Sequence, residues 1–322
     1  MRRQPEGPTR PMILGDLVAA IGHTPMVELR RLAPHPGVRL FAKIEGANPT
    51  GSVKDRIARS MLADAVASGA LQPGQTILEP SSGNTGISLA MIGSRMGHPV
   101  RIVMPDNTTP EREHLLRVFG AEIVFSPGAE GSNGAIRMAQ RLAEADPSVY
   151  MPFQYGNEAN PRAHQEETGP EILAAVPEVD VFVAGLGTGG TLTGVGRALK
   201  AARPGVRVVA AEPLPGEQVQ GLRSLEEGFV PPVLDQSVLD DRYLVGNREA
   251  VGGVRRLMAE EGIFAGLSSG AALAVALRVA AEMDRGTIVA LLADDGSKYL
   301  SAGLWNRDLD TLETEMERSV LW

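Results

Sequence analysis

The feature that most limits the fold open to this chain is an alternation. Short runs of β-branched and apolar residues recur, each followed by a turn and then by a segment with helical spacing. In the first half the runs are TILEP, VRIVMP and AEIVFSP. SSGNTG and ISLAMIGSRMG follow the first, and DNTTPEREHLLRVFG follows the second. In the latter, Thr109 is placed to N-cap a helix, Pro110 to take its first position, Glu111 to face the positive end of its dipole, and Gly120 to end it. The second half repeats the pattern: VDVFVAGLG leads into GGTLTGVGRALKAARPG, then VRVVAAEP, and GLSSGAALAVALRVAAEMDRG leads into TIVALLADDGSKYL. This order predicts an α/β chain with parallel strands and crossover helices.

With 322 residues, of which 43% are hydrophobic and 22% charged, the chain can build two medium cores. We expect two doubly wound lobes with mostly parallel sheets and a cleft between them. Residues 46–150 form the smaller, mobile lobe, residues 12–45 and 151–310 the larger, and residues 1–11 a disordered tail. The stretch from Pro213 to Asn247 carries four prolines and little periodicity, longer than a structureless loop usually runs, which suggests a functional loop.

A formal charge of -8, from 31 basic and 39 acidic residues, argues against nucleic acid as the main partner. The absence of cysteine excludes disulfides, thiolate nucleophiles and cysteine-ligated metals. His23, His35, His98, His114 and His164 never fall at the paired helical spacing of a zinc site and read as bland histidines. Asp294 and Asp295 read as turn caps rather than a metal pair, so no metal is assigned. The basic N-terminal stretch MRRQPEGPTRP is followed by no apolar run suited to a signal peptide or membrane span, so a cytoplasmic location is expected. The C-terminal ERSVLW is read as either docking its apolar residues or fraying.

Three motifs could carry chemistry. Lys54, in NPTGSVKDR, opens a helix whose Ile57, Met61, Leu62, Ala65 and Val66 trace an apolar stripe closed by Gly69. A helix N-terminus and a dry setting both lower a lysine pKa, favouring the free amine that Schiff-base chemistry needs; the plain alternative is a solvated lysine. SSGNTG, from Ser81 to Gly86, can clamp a carboxylate, or act as an ordinary polar turn with capping hydroxyls. GLGTGGT, from Gly185 to Thr191, follows an apolar strand and opens a helix, as a phosphate cradle does. The same letters also fit GxGxxG through Gly185, Gly187 and Gly190, with Glu212 ending the next strand, so a nicotinamide oxidoreductase is a rival reading. A dinucleotide site explains neither the lysine motif nor the Asn-bearing turn.

With GLSSG added, these motifs make the constellation of the fold-type II pyridoxal-phosphate enzymes. The chain resembles their cysteine synthase (O-acetylserine sulfhydrylase) family, from about ILGDLVAAIGHTPMVEL to DDGSKYLS. NPTGSVKDR is similar to the family's lysine motif, EPSSGNTGISLA to its carboxylate loop, GLGTGGTLTG to its phosphate loop and GIFAGLSSGAA to its pyridine-nitrogen motif. The resemblance implies that pyridoxal 5'-phosphate is the cofactor, with Lys54 as its internal aldimine and Asn84 on its phenolic oxygen. It further implies that Gly187, Thr188, Gly189, Gly190 and Thr191 hold the phosphate, with Ser268 at the ring nitrogen. It places the substrate carboxylate on Ser81, Ser82, Gly83 and Thr85, with Gln154 closing over it. Ser81 stands where a threonine is commoner in the family, and keeps the hydroxyl.

A serine at the ring nitrogen makes a weaker electron sink than a carboxylate would, which suits direct loss of a β-leaving group and attack of sulfur on an aminoacrylate, with Lys54 as the base. The expected reaction is therefore β-replacement on an activated serine to give L-cysteine. Arg223, in GLRSLEEGFVP, fits a phosphate dianion better than an acetyl ester. That segment resembles the O-phosphoserine-dependent branch, which suggests O-phospho-L-serine as substrate; the plain alternative pairs Arg223 with Glu226 or Glu227. The resemblance implies a homodimer. The sulfur donor stays open among sulfide, thiosulfate and a thiocarboxylated carrier protein. A cystathionine β-synthase, a serine/threonine dehydratase and a catalytically silent relative would carry the same motifs, and they stay open as rivals.

Overall fold

The computed structural model describes residues 14–318. The expected N-terminal tail and the apolar chain end from Ser319 lie outside the described residues, as do the side chains of Glu227, Glu317 and Arg318.

The chain opens with β1 (Met26–Glu28) and β2 (Val38–Ile44), which pair antiparallel. It continues through α1 (Lys54–Ala67), β3 (Thr76–Pro80), α2 (Asn84–Arg95), β4 (Val100–Pro105), α3 (Pro110–Val118), β5 (Glu122–Ser126), α4 (Gly131–Ala145) and the short β6 (Val149–Tyr150). Next come α5 (Ala159–Ala163), a π-helical turn (His164–Thr168) and α6 (Gly169–Ala175). The remainder is β7 (Val181–Gly185), α7 (Gly190–Ala202), β8 (Arg207–Pro213), β9 (Asp241–Val245), α8 (Asn247–Glu261), α9 (Leu267–Ala281), β10 (Gly286–Leu292) and α10 (Leu309–Arg318).

Two sheets result, a smaller one ordered β5-β4-β3-β6 and a larger one ordered β1-β2-β10-β7-β8-β9, parallel in every pairing except β1 with β2. The α/β expectation is therefore met. The last strand, β10, shows why the larger sheet needs both ends of the chain. Its residues from Thr287 to Leu292 are buried, and it lies between β2 and β7, with Leu292 opposite Ile44 and Ile288 opposite Val181. An apolar run covered on both faces belongs in the middle of a parallel sheet.

The sequence reading missed β1, β2, β6 and β9. In β2 the apolar run is broken by Arg39 and by Lys43, a buried lysine whose ammonium is met by Glu171 at 2.6 Å. The long loop after β8 is only partly a loop, because β9 forms the edge of the larger sheet, with alternating exposure along Asp241–Val245. In α1, Ile57, Ala58, Met61, Leu62 and Ala65 are buried as the stripe requires, but Val66 is 48% exposed. Val66 lies in the last turn, beyond the buried face.

At α3 the expected cap takes another form. Thr109 has N-cap backbone geometry and Pro110 follows it, but the Thr109 hydroxyl donates to the Lys298 carbonyl at 3.0 Å instead of accepting from its own helix. Glu111 accepts from the Ser301 N–H and hydroxyl at 2.6 and 2.8 Å. The start of α3 is thus stitched to the segment following β10, which ties the smaller sheet's helices to the larger sheet.

Candidate active site

Four local features meet at one cleft: the start of α1, the turn from β3 to α2, the turn from β7 to α7, and the start of α9. Such a position, beyond the carboxyl ends of parallel strands, is where open sheets hold ligands. Lys54, Asn84, Ser81, Ser82, Gly83, Thr85, Gln154, Arg223 and Ser268 all line it, as do Gly187, Thr188, Gly189 and Thr191. Gly190 is buried behind the wall as the first residue of α7, against Asn160.

Lys54 is fixed from both sides. The Val53 N–H donates to the Ala293 carbonyl at 2.8 Å, and Ser52 bridges Asp294, so the start of α1 rests on the end of β10. One turn further on, the fully buried Arg56 donates to Glu45 at 2.7 and 2.9 Å and to Glu171 at 2.7 and 2.8 Å. Lys43 and Thr24 complete this network at 2.6 Å from Glu171 and Glu45, respectively. Burial lowers the Lys54 pKa, opposed in part by the negative charges of Asp294 and Glu45. The net direction favours a neutral amine facing the cleft.

The turn SSGNTG is built from side chains. Ser81 Oγ accepts from the N–H groups of Gly83 and Gly86 at 3.3 and 2.9 Å, so this hydroxyl braces the turn from within. Thr85 donates to Gln154 Oε1 at 2.7 Å, and Gln154 Nε2 reaches the Pro80 carbonyl at 3.3 Å. The N–H groups of Phe153 and Gln154 in turn bond the two oxygens of Glu79 at 2.7 and 2.9 Å. Those bonds hold Phe153 at φ 54, a conformation that costs a bulky residue free energy. Desolvation raises the pKa of the fully buried Glu79 to about 8. Asn84 donates through Nδ2 to Asp294 Oδ2 at 2.8 Å, while its Oδ1 is buried without a partner.

The turn after β7 is built from backbone. Gly189, the N-cap of α7, has φ 84 and offers no side chain to cap the helix; the Gly190 N–H makes a long 3.3 Å bond to the Thr188 hydroxyl, and the glycine-rich helix start faces the cleft. A Cβ at Gly189 would lie 2.7 Å from Leu234, and one at Gly187 would lie 2.7 Å from the Gly221 carbonyl. Asn160 Nδ2 donates to Thr188 Oγ1 at 3.0 Å, and Thr191 exchanges a 3.2 Å hydrogen bond with His164. Burial, reinforced by the charges of Arg56 and Lys54, pushes the His164 pKa well below its ordinary value. A neutral imidazole therefore backs this turn, a role the reading of the histidines as bland did not foresee.

The nicotinamide alternative requires Glu212 to face a ribose. It is buried instead, accepting from Leu225 N–H at 2.7 Å, from Ser224 at 3.2 Å and from Arg242 at 3.1 Å. Arg223 is 6% exposed, donates to the Asn133 amide oxygen at 2.8 Å, and lies over the rings of Tyr155 and Phe229 at 5.4 and 5.0 Å. It has no carboxylate partner among the described residues. Glu226 is exposed, and the Glu227 side chain lies outside the described set.

Two site residues escaped the sequence reading. Asp295 does cap a turn, accepting from the Ser297 N–H at 2.8 Å, but Asp294 is buried beneath the cleft, bonded to Asn84 and to the Tyr299 hydroxyl at 2.8 Å. Arg112, from α3, lines the cleft as a second buried arginine. Nothing local in PEREHLL distinguishes it from its exposed neighbours. Among the described residues no cluster suited to a metal ion occurs, and no helix is long and apolar enough to cross a membrane.

A buried primary amine of lowered pKa, opposite a glycine-rich helix N-terminus, suits a protein that holds a phosphorylated aldehyde. The chain belongs to the pyridoxal-phosphate dependent enzyme family, whose model matches residues 17–294. Among its relatives, a probable cysteine synthase of Bacillus subtilis (strain 168) is 43% identical over 306 residues, covering 91% of this chain and 98% of the relative. A crystal structure of O-ureido-L-serine synthase is 45% identical, with a TM-score of 0.86 over 91% of this chain and 95% of its own. That of a cysteine synthase from Entamoeba histolytica is 32% identical, with a TM-score of 0.87 over 99% of both chains.

The residues present fit the cofactor. The uncapped start of α7 suits its phosphate, and the orphaned Asn84 Oδ1 marks an amide whose hydrogen bonding is incomplete without a ligand. Ser268, at the start of α9, supplies a neutral hydroxyl in the same cleft.

Proposed function

We propose that this chain is a cysteine synthase that replaces the phosphate of O-phospho-L-serine by a sulfur nucleophile, sulfide in the simplest case, releasing L-cysteine and inorganic phosphate. The observation that carries the reading is the convergence of Lys54, the Asn84 turn, the Gly187–Thr191 loop and Ser268 on one cleft.

Lys54 would hold pyridoxal 5'-phosphate through its aldehyde, Asn84 its phenolic oxygen, residues 187–191 its phosphate, and Ser268 its ring nitrogen. When bound, the cofactor withdraws electrons from the substrate amine and so acidifies the Cα proton. Lys54 Nζ, whose pKa burial lowers, would be the base placed to take that proton. The Ser268 hydroxyl would meet the ring nitrogen as a neutral partner, chemistry suited to expulsion of a β-substituent. The turn from Ser81 to Thr85, braced by Gln154, holds the substrate carboxylate. The lobe formed by residues 46–150 closes on that carboxylate and excludes water, and the chain acts as a homodimer in the cytoplasm.

Preference for a phosphate leaving group rests on Arg223. A buried guanidinium bonded to the Asn133 amide and packed against Tyr155 and Phe229, with no carboxylate partner among the described residues, is available to an anionic substituent. Steady-state kinetics on Arg223→Ala should show kcat/KM with O-phospho-L-serine falling on the order of 100-fold, the scale of losing one partner of a buried charge pair. With O-acetyl-L-serine the fall should stay within roughly fivefold. Equal losses for both substrates would remove the phosphate role, and failure to form cysteine from either would remove the activity.

A further inference from the structure

Arg112 is 2% exposed, yet among the described residues it meets no carboxylate. Its Nη1 makes a long 3.4 Å contact with the Ser82 carbonyl, its guanidinium lies 5.1 Å from the centre of the Tyr299 ring, and its Nε is buried without a partner. The side chain rests directly against Gly83: a Cβ there would come within 2.9 Å of Arg112 Nε and 3.1 Å of Cδ and Cζ. Since Tyr299 is itself held by its hydroxyl on Asp294, and the base of α3 by Lys298 and Ser301, the guanidinium has little room to move aside.

A charge buried with one donor unsatisfied is costly, and an apolar side chain would fill the space behind Gly83 at less cost. The positive charge therefore needs a use in the ligand-bound protein. We infer that Arg112 is a positioning residue for the substrate carboxylate: it holds the Ser82–Gly83 backbone in place and puts a fixed positive charge behind the turn that receives the anion. The inference rests on reading SSGNTG as the carboxylate turn. It divides the two cleft arginines by task, with Arg112 acting through the turn on the carboxylate common to every amino-acid substrate and Arg223 acting on the β-substituent.

The test uses cofactor-loaded protein and spectral titration with O-phospho-L-serine, O-acetyl-L-serine and O-phosphoethanolamine, the last sharing the amine and phosphate but lacking the carboxylate. Arg112→Met keeps the stem over Tyr299 and removes the charge. It should retain the cofactor's visible band, lose roughly 30-fold in affinity for both amino acids, and leave O-phosphoethanolamine within about twofold of wild type. Arg112→Lys should recover most of the loss. If Arg112→Met does not fold, Arg112→Gln, which also removes the charge but keeps a polar tip against Ser82, should show the same selective loss. A loss shared by O-phosphoethanolamine, a loss confined to O-phospho-L-serine, or no loss at all would overturn the inference. A wild-type protein that takes up no cofactor would instead remove the reading on which it rests.

Discussion

The two strand-to-helix turns that line the cleft, proposed above as its two anion sites, are built on different plans. The turn after β7 is dominated by glycine backbone at a helix start, with Gly189 in a left-handed conformation pressed against Leu234 and only the Thr188 and Thr191 hydroxyls beside it. The turn after β3 is a lattice of hydroxyl, amide and carboxyl groups running from Ser81 through Thr85 and Gln154 to Glu79. A glycine-rich backbone site has few rotamers to order, which suits a resident cofactor. A side-chain site can adjust and release, which suits a substrate that must leave as product.

The largest expected effect lies beneath both turns. Arg56→Met would strand Glu45 in the core and should cost about 3–5 kcal/mol of unfolding free energy, the usual scale for breaking a buried ion pair, measured by chemical denaturation. If the cost is under about 1 kcal/mol, the network is not what anchors the Lys54 helix.

Glu79 sets a pH contrast between the turns. Its folded pKa, about 8, is raised above the ordinary 4.5, so the folded state holds the proton more tightly. The stability it contributes is complete below pH 4.5 and is lost as pH rises to about 8, on the order of 5 kcal/mol across that window. Unfolding free energy should fall over this range in wild type and flatten in Glu79→Gln. Glu79→Gln should change the pH profile of substrate affinity and leave that of cofactor affinity as in wild type; a change shared by both would erase the distinction.

Within the backbone-built turn, Gly189→Val should weaken cofactor binding on the order of 100-fold, because a β-branched residue there is both strained and overpacked. Fluorescence titration of the cofactor would measure it. Within the side-chain-built turn, Thr85→Val should leave the cofactor in place and raise the substrate KM roughly tenfold, through loss of its bond to Gln154. If Thr85→Val instead released the cofactor, the assignment of separate ligands to the two turns would fail.

What could be read in the sequence was what neighbouring residues decide together. A strand, a glycine-rich turn and a helix start are contiguous, so Lys54, Asn84 and the Gly187–Thr191 loop were legible with the α/β alternation itself. Contacts between distant segments were not. Lys43 breaks the apolar run of β2 because Glu171, far along the chain, neutralises it. Asp294 looks like its neighbour Asp295 until Asn84 and Tyr299 are brought against it. Arg112 looks like any arginine of an exposed helix until Gly83 closes over it. His164 lacks a local motif, since its partner Thr191 lies on another helix.

The most direct test is to load the protein with pyridoxal 5'-phosphate, record its visible absorption, reduce it with borohydride and map the modified peptide. A visible band, with the reduced cofactor attached at Lys54 and lost in Lys54→Ala, is the result this account predicts. A colourless protein, or one labelled at Lys43, Lys200 or Lys298 instead, would contradict it.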